Sequence, residues 1–283
     1  MCDYELEPGK KCPIENYNDS LFCVLHTPFP ENKKDIEYQQ IMELKNRKIL
    51  EKIVSGDFDF TGVIIQDFFF PEGFKIKKSI NCCGAKIRGN VFLGKITISE
   101  DALFNGTTIE GATLIEGTII GGTASFTFAT IKGQANFKDA IIKGDVSFIG
   151  AKIDGMTSFN GSTIEGNALF IDAEMHQPSF FRNVTIKKCV QFDRSKTNYI
   201  WFDGTTIEES ASFDGINADG DISFIGMTIG GDVTFDCATI NGDARFCEDK
   251  NHKGTFKGDI YLNSTKIKRN LIFTESFLKI YNQ

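Results

Sequence analysis

Tryptophan occurs once, histidine three times and proline six times in 283 residues, and only six of the 31 basic residues are arginine. The three imidazoles lie far apart, at His26, His176 and His252, which gives no pattern for acid–base or nucleophilic catalysis. A phosphate-binding glycine loop and a nucleophile elbow are also missing, so no enzymatic activity is expected. No apolar run approaches the roughly 20 residues that a membrane-spanning helix needs. The opening Met-Cys-Asp-Tyr-Glu-Leu-Glu-Pro-Gly has neither a basic leader nor an apolar stretch. Cytoplasm is therefore the expectation, with the eight cysteines present as thiols or metal ligands rather than disulfides. Concentrated basic charge is absent too. The net charge is −7, and 24 basic and 29 acidic residues are spread over the chain after residue 50. This argues against nucleic acid as a direct ligand, because phosphate binding needs a basic stripe.

What is abundant is phenylalanine, with 27 residues, and its placement is periodic. From Phe60 to Leu278 large apolar residues fall alternately five and six positions apart, each preceded two places earlier by a small or apolar one. Phe126, Ile131, Phe137, Ile142, Phe148, Ile153, Phe159, Ile164 and Phe170 keep the step without error, with partners such as Ala124, Ala129, Ala135 and Ala140. Residues i and i−2 of an extended segment share a face, so each unit is a very short strand with two inward side chains. Gly, Asp and Asn lie between units, as in Ile142-Lys-Gly-Asp-Val-Ser-Phe148, and suit tight or left-handed turns. Four sides then close a square coil of 22 residues, with Phe on two opposite sides and Ile on the other two. At about 4.8 Å per coil the repeat makes about ten coils and a rod about 48 Å long. A left-handed hexapeptide helix would need an unbroken six-residue period, which the alternation does not give.

The run Phe148-Ile-Gly-Ala-Lys-Ile-Asp-Gly-Met-Thr-Ser-Phe159 resembles the pentapeptide-repeat proteins, in the variant that reads Phe-x-Gly-Ala-x-Ile-x-Gly-Asp-x-x-Phe. The resemblance covers about three quarters of the chain. It implies an all-β solenoid, a right-handed quadrilateral β-helix. The alternating six-residue step departs from the strict five-residue pattern at two corners of each coil.

Residues 1–32 lack the repeat and carry Cys2, Cys12, Cys23 and His26. Three thiolates and one imidazole suffice for a closed tetrahedral zinc site, and Cys23-x-x-His26 has good ligand spacing. Cys2 and Cys12 stand farther apart than in a zinc knuckle. The segment resembles short Cys/His leaders that precede such repeats, so a structural, non-catalytic zinc is expected. Residues 33–56 read as a capping α-helix, with Asn32 at its start, Asp35 in its first turn, an apolar face of Ile36, Met42, Ile49 and Ile53 beside Leu50 and Val54, and Gly56 at its end. Leader and helix together make a lid for the raw edge of the first coil in the repeat, residues 57–283.

Breaks in register are where function is sought. Phe68-Phe69-Phe70-Pro71 cannot place every ring inside, Cys247 to Thr255 reads as a corner loop, and one residue is missing between Thr197 and Phe202. Beside that deletion Phe180 and Trp201 fall on the outside of adjacent coils, with Tyr199 and Pro178 next to them, a candidate surface for a protein partner. Asp193, Asp214 and Asp236 form an outward column. The reading is a non-catalytic scaffold or protein-binding rod. Its alternative is a DNA-mimicking inhibitor or protector of a topoisomerase such as gyrase, for which the family resemblance supplies precedent. A homodimer through the C-terminal coil is also expected.

Overall fold

The computed structural model describes residues 1–18, 20–247 and 254–273. Two-residue strands recur on every side of the coil and pair in parallel with the strand 22 residues on, as Ala124-Ser125 does with Val146-Ser147. Stacked, they form four walls. Two have ten strands, starting at Ile64–Ile65 and Phe68–Phe69, and two have nine, starting at Lys75–Ile76 and Ile80–Asn81. This is the four-sided solenoid that the five-and-six spacing predicts. No helix among the described residues is long and apolar enough to cross a membrane.

The inward residues from Phe126 to Phe170, and their small partners, are fully buried. Rings of one column lie parallel, Phe148 and Phe170 at 5.2 Å between centroids and 2° between planes. The two Phe columns meet edge to face across the core, as Phe148 and Phe159 do at 6.1 Å and 87°. Both arrangements suit the ring quadrupole. The residue two places before each inward Phe, such as Ala124, Val146, Thr157 or Ile200, is buried beside the ring.

The two kinds of corner have different causes. After Phe the chain, save at Phe181 where the Val184 N–H donates to Thr205 Oγ1, makes a hydrogen-bonded turn, such as Ala151 N–H to Phe148 O at 3.0 Å, whose third residue has positive φ. Gly150 (62°), Phe128 (56°) and Asp139 (55°) hold that place. After Ile the longer corner stacks glycine on glycine through Gly89, Gly111, Gly133 and Gly155, and through Gly122, Gly144 and Gly166, before Lys188 and Glu209 take that place. Gly133 donates to Gly111 O at 3.0 Å, and a Cβ on Gly133 would lie 2.5 Å from the Gly111 carbonyl carbon. The Asp or Asn that follows bridges coils. Asp145 Oδ1 accepts the Asn167 N–H at 2.7 Å, and Asn167 Oδ1 accepts that of Cys189 at 3.2 Å. Gly133→Ala is accordingly expected to wedge two coils apart and lower stability by about 1–3 kcal/mol, the range for overpacking. An unchanged urea midpoint would show that the ladder yields freely.

Three irregularities stand where the spacing puts them. Phe68 pairs with Val91, 23 positions on, and Phe69 is 67% exposed while Phe68 and Phe70 are buried. Ser179 pairs with Ile200, only 21 positions on. Thr228 pairs with Thr255, 27 positions on. His252 lies outside the described residues, as do Leu278 and the rest of 274–283, on which the expected C-terminal contact depends.

The helix, α1, spans Ile36–Val54, and its N-cap is Asp35 rather than Asn32. Asn32 instead closes the preceding turn, its Oδ1 accepting the Lys34 N–H at 3.1 Å. Gly56 (φ 73°) ends the helix as expected, donating to Ile53 O at 3.1 Å while Asp57 donates to Lys52 O at 2.9 Å. The buried stripe differs from the expected one. Tyr38, Ile41 and Lys45 are buried, whereas Ile36, Leu50 and Val54 are exposed and Ile49 and Ile53 are half-buried. Counting only apolar residues rotates the face, because its centre is a lysine.

Candidate functional site

The leader begins with a hairpin, Glu5–Glu7 against Lys10–Lys11, turning at Gly9 with φ 79°. Backbone bonds tie its ends, from Cys2 N–H to Ile14 O at 3.0 Å and from Cys12 N–H to Tyr4 O at 2.8 Å. The hairpin thus brings two cysteines ten residues apart side by side, which is why their spacing does not look like a knuckle. Cys23 and His26 sit on a tight turn in which His26 N–H and Thr27 N–H both donate to Cys23 O.

The four side chains converge. All are buried, and their donor atoms lie within 4.8 Å of one another. Cys12 Sγ stands 3.9 Å from Cys23 Sγ, and His26 Nδ1 is 3.5 Å from Cys2 Sγ and 3.2 Å from Cys23 Sγ. Zinc–sulfur and zinc–nitrogen bonds of about 2.3 and 2.0 Å give tetrahedron edges of about 3.8 Å between sulfurs and about 3.5 Å between sulfur and nitrogen. The donor set therefore fits a tetrahedral ion. His26 Nε2 lies 3.0 Å from Thr61 O, which can only accept, so Nε2 carries the proton and Nδ1 turns its lone pair to the thiols. Tyr4 stacks on the imidazole at 4.0 Å and 10°. Burial pushes the Cys23 thiol up to about 12, raises Cys12, and lowers His26. Without a cation the cluster is held neutral, and a metal is what would make thiolates favourable there.

Sequence reasoning missed Lys45. Its stem is buried and its ammonium donates to Thr27 O at 2.7 Å, Ile64 O at 2.6 Å and Leu25 O at 3.2 Å. One side chain so bolts α1 to the leader and the first coil. Burial pulls its pKa down to about 7. The signal was available: Lys45 follows Tyr38 by seven and Ile41 by four, squarely on the buried stripe.

Along the rod, Phe180 and Trp201 are paired neighbours and stack at 5.0 Å and 13°. Tyr199 stacks on Trp201 at 5.5 Å, and Pro178 is half-buried beside them, its carbonyl accepting the Thr157 N–H at 3.3 Å. The Arg182 guanidinium lies 5.6 Å from the Phe180 ring centre and 5.4 Å from that of Trp201, and 3.6 Å from Asp203. Phe180 and Trp201 are consequently half-buried, partly screened by an arginine.

The aspartate column is spent internally. Asp193 Oδ1 accepts the Asp214 N–H at 3.3 Å, Asp214 Oδ1 that of Asp236 at 2.8 Å, and Asp236 Oδ1 that of Asn263 at 3.0 Å. Charges elsewhere alternate in sign from coil to coil: Lys152 and Lys196 flank Glu174 at 3.3 Å each, and Arg194 meets Asp172 at 2.8 Å. The column is part of the inter-coil ladder, and its carboxylates are half-buried. Cys82 is buried, Cys83 and Cys189 are partly exposed and Cys237 is exposed, and none of the eight cysteines forms a disulfide. His176 is an exposed side chain with its Nδ1 2.8 Å from Asp154.

Four parallel walls around columns of Phe and Ile define a quadrilateral β-solenoid with a Cys/His-clustered leader. A family model described as pentapeptide repeats (9 copies) matches residues 115–163 and 138–185, so the middle of the solenoid is similar to that family. No curated protein matches the chain significantly.

Proposed function

We propose that this chain is a non-catalytic, protein-binding rod whose N-terminal end is closed by a structural zinc ion. The observation that carries the binding reading is the Tyr199–Trp201–Phe180 stack with Arg182 laid over it, flanked on the same wall by the polar outward residues Asn136, Ser158 and Ser223. Trp, Tyr and Arg are the residues that most often anchor protein interfaces. Three thiols and one imidazole select zinc over magnesium or calcium, which prefer oxygen ligands. With four protein ligands the ion has no open position, so its part is to hold a leader too short for its own core.

Trp201→Ala tests the surface. The substitution is expected to change unfolding free energy by only about 1 kcal/mol, the scale of one aromatic pair. A partner held by the native rod should bind at least tenfold more weakly, a loss of about 1.4 kcal/mol. Undiminished binding sinks the proposed surface, and collapse of the fold shows the ring to be structural.

A further inference from the structure

The first coil presents an edge strand, Ile64–Ile65, which pairs on its inner side with Lys86–Ile87. On its outer side both backbone groups of Ile64 are taken by the lid. Its N–H donates to Leu25 O at 2.8 Å, and its carbonyl accepts from Lys45 Nζ at 2.6 Å. Leu25 lies between Cys23 and His26, and two of the three carbonyls that hold Lys45 belong to Leu25 and Thr27. His26 is tied through Nε2 to Thr61 O, three residues before that strand. Every one of these edge-capping atoms is carried by the turn that bears two of the four metal donors, or is held by it. Apolar packing adds to these bonds, with Tyr38 and Ile41 buried and Leu44, Ile49 and Ile53 packed against the core, while Ile36, Leu50 and Val54 face solvent.

Resting on the zinc reading above, we propose that occupancy of the Cys2, Cys12, Cys23 and His26 site is the latch that keeps the lid on the edge of the solenoid. With the ion bound, residues 23–27 are fixed and the Ile64 strand is capped. With the ion gone, the turn relaxes, Lys45 loses its acceptors, and the edge strand is uncovered, the kind of open edge on which a second chain can pair. The coils farther along keep their own stacking, because each is held by its neighbours.

Hydrogen exchange on the full chain, with one equivalent of zinc and again after a chelator, tests this beside native mass measurement. The expected result is one zinc per chain before chelation and none after, with exchange in peptides covering 60–66 and α1 at least tenfold faster once zinc is removed, and exchange over 124–170 unchanged. Cys23→Ser, without chelator, should reproduce the fast pattern. Failure to retain zinc in the native mass sinks the zinc reading and the latch with it. Loss of zinc with no change at 60–66 leaves that reading standing and overturns the latch. An equal rise over 124–170 also overturns it, since the ion would then stabilise the whole rod.

Discussion

Truncation of Phe148 to alanine is expected to lower the unfolding free energy by about 3–5 kcal/mol, at the upper end for buried aromatic deletions. Phe148 lies between Phe126 at 5.0 Å and Phe170 at 5.2 Å in its own column, and meets Phe137 and Phe159 edge-on from the opposite wall. Four rings would thus border the void. They cannot close on it easily, because each coil is pinned by backbone bonds above and below, such as Phe148 N–H to Leu169 O and Phe126 N–H to Ser147 O at 2.7 Å. The cost of a cavity rises with how little the surroundings relax, and a ladder on four sides relaxes little. Urea unfolding measures the loss. A value under about 1.5 kcal/mol, typical of a tolerated hydrophobic swap, would show that the coils close up after all.

Lys45→Met should loosen the lid by about 2–4 kcal/mol. Methionine keeps an unbranched stem but donates nothing, so Thr27 O and Ile64 O are orphaned, while Leu25 O still receives the Ile64 N–H. An unsatisfied buried group costs about 1–3 kcal/mol, offset in part because an ammonium need no longer be desolvated. The pH dependence follows from that burial. The folded-state pKa is about 7 against an ordinary 10.5, so between these values the unfolded chain binds more protons than the folded one. Stability from Lys45 therefore grows as pH rises through that window and is lost as pH falls through about 7. The deficit of Lys45→Met relative to the native chain should be smallest in acid and widen toward pH 10, read by exchange in α1. A deficit that narrows with rising pH would show that the three carbonyls hold the proton more firmly than burial expels it.

The walls were legible because their cause is local and repeated. A Phe every eleven residues with a small or apolar residue two places before it admits one packing, and Ala140 and Phe148 are both fully buried. The Cys/His cluster was legible by residue type, yet not by spacing: the Gly9 hairpin that joins Cys2 to Cys12 sets their distance in space independently of their distance in sequence. What escaped was contributed by polar residues with internal tasks. Lys45 goes unnoticed when only apolar residues are counted, Asp214 reads as one of an outward column, and Asn32 as a helix cap. Lys45 and Asp214 are committed to backbone groups that only the folded chain brings near, and Asn32 to the N–H of Lys34. Apolar periodicity cannot report such bonds, since their partners lie 19 to 22 residues away or close a turn just ahead of the helix.

The alternating charges on successive coils give each coil an address. Phe148 and Phe170 occupy equivalent places, so the interior alone would tolerate excision of a whole 22-residue unit. The exterior would not treat it as neutral: with Ile153 to Glu174 removed, Lys152 would abut Lys196 where each now faces Glu174. A rod made of near-interchangeable layers thereby distinguishes its proper order from a shortened or slipped one, by repulsion at the surface and not by fit within.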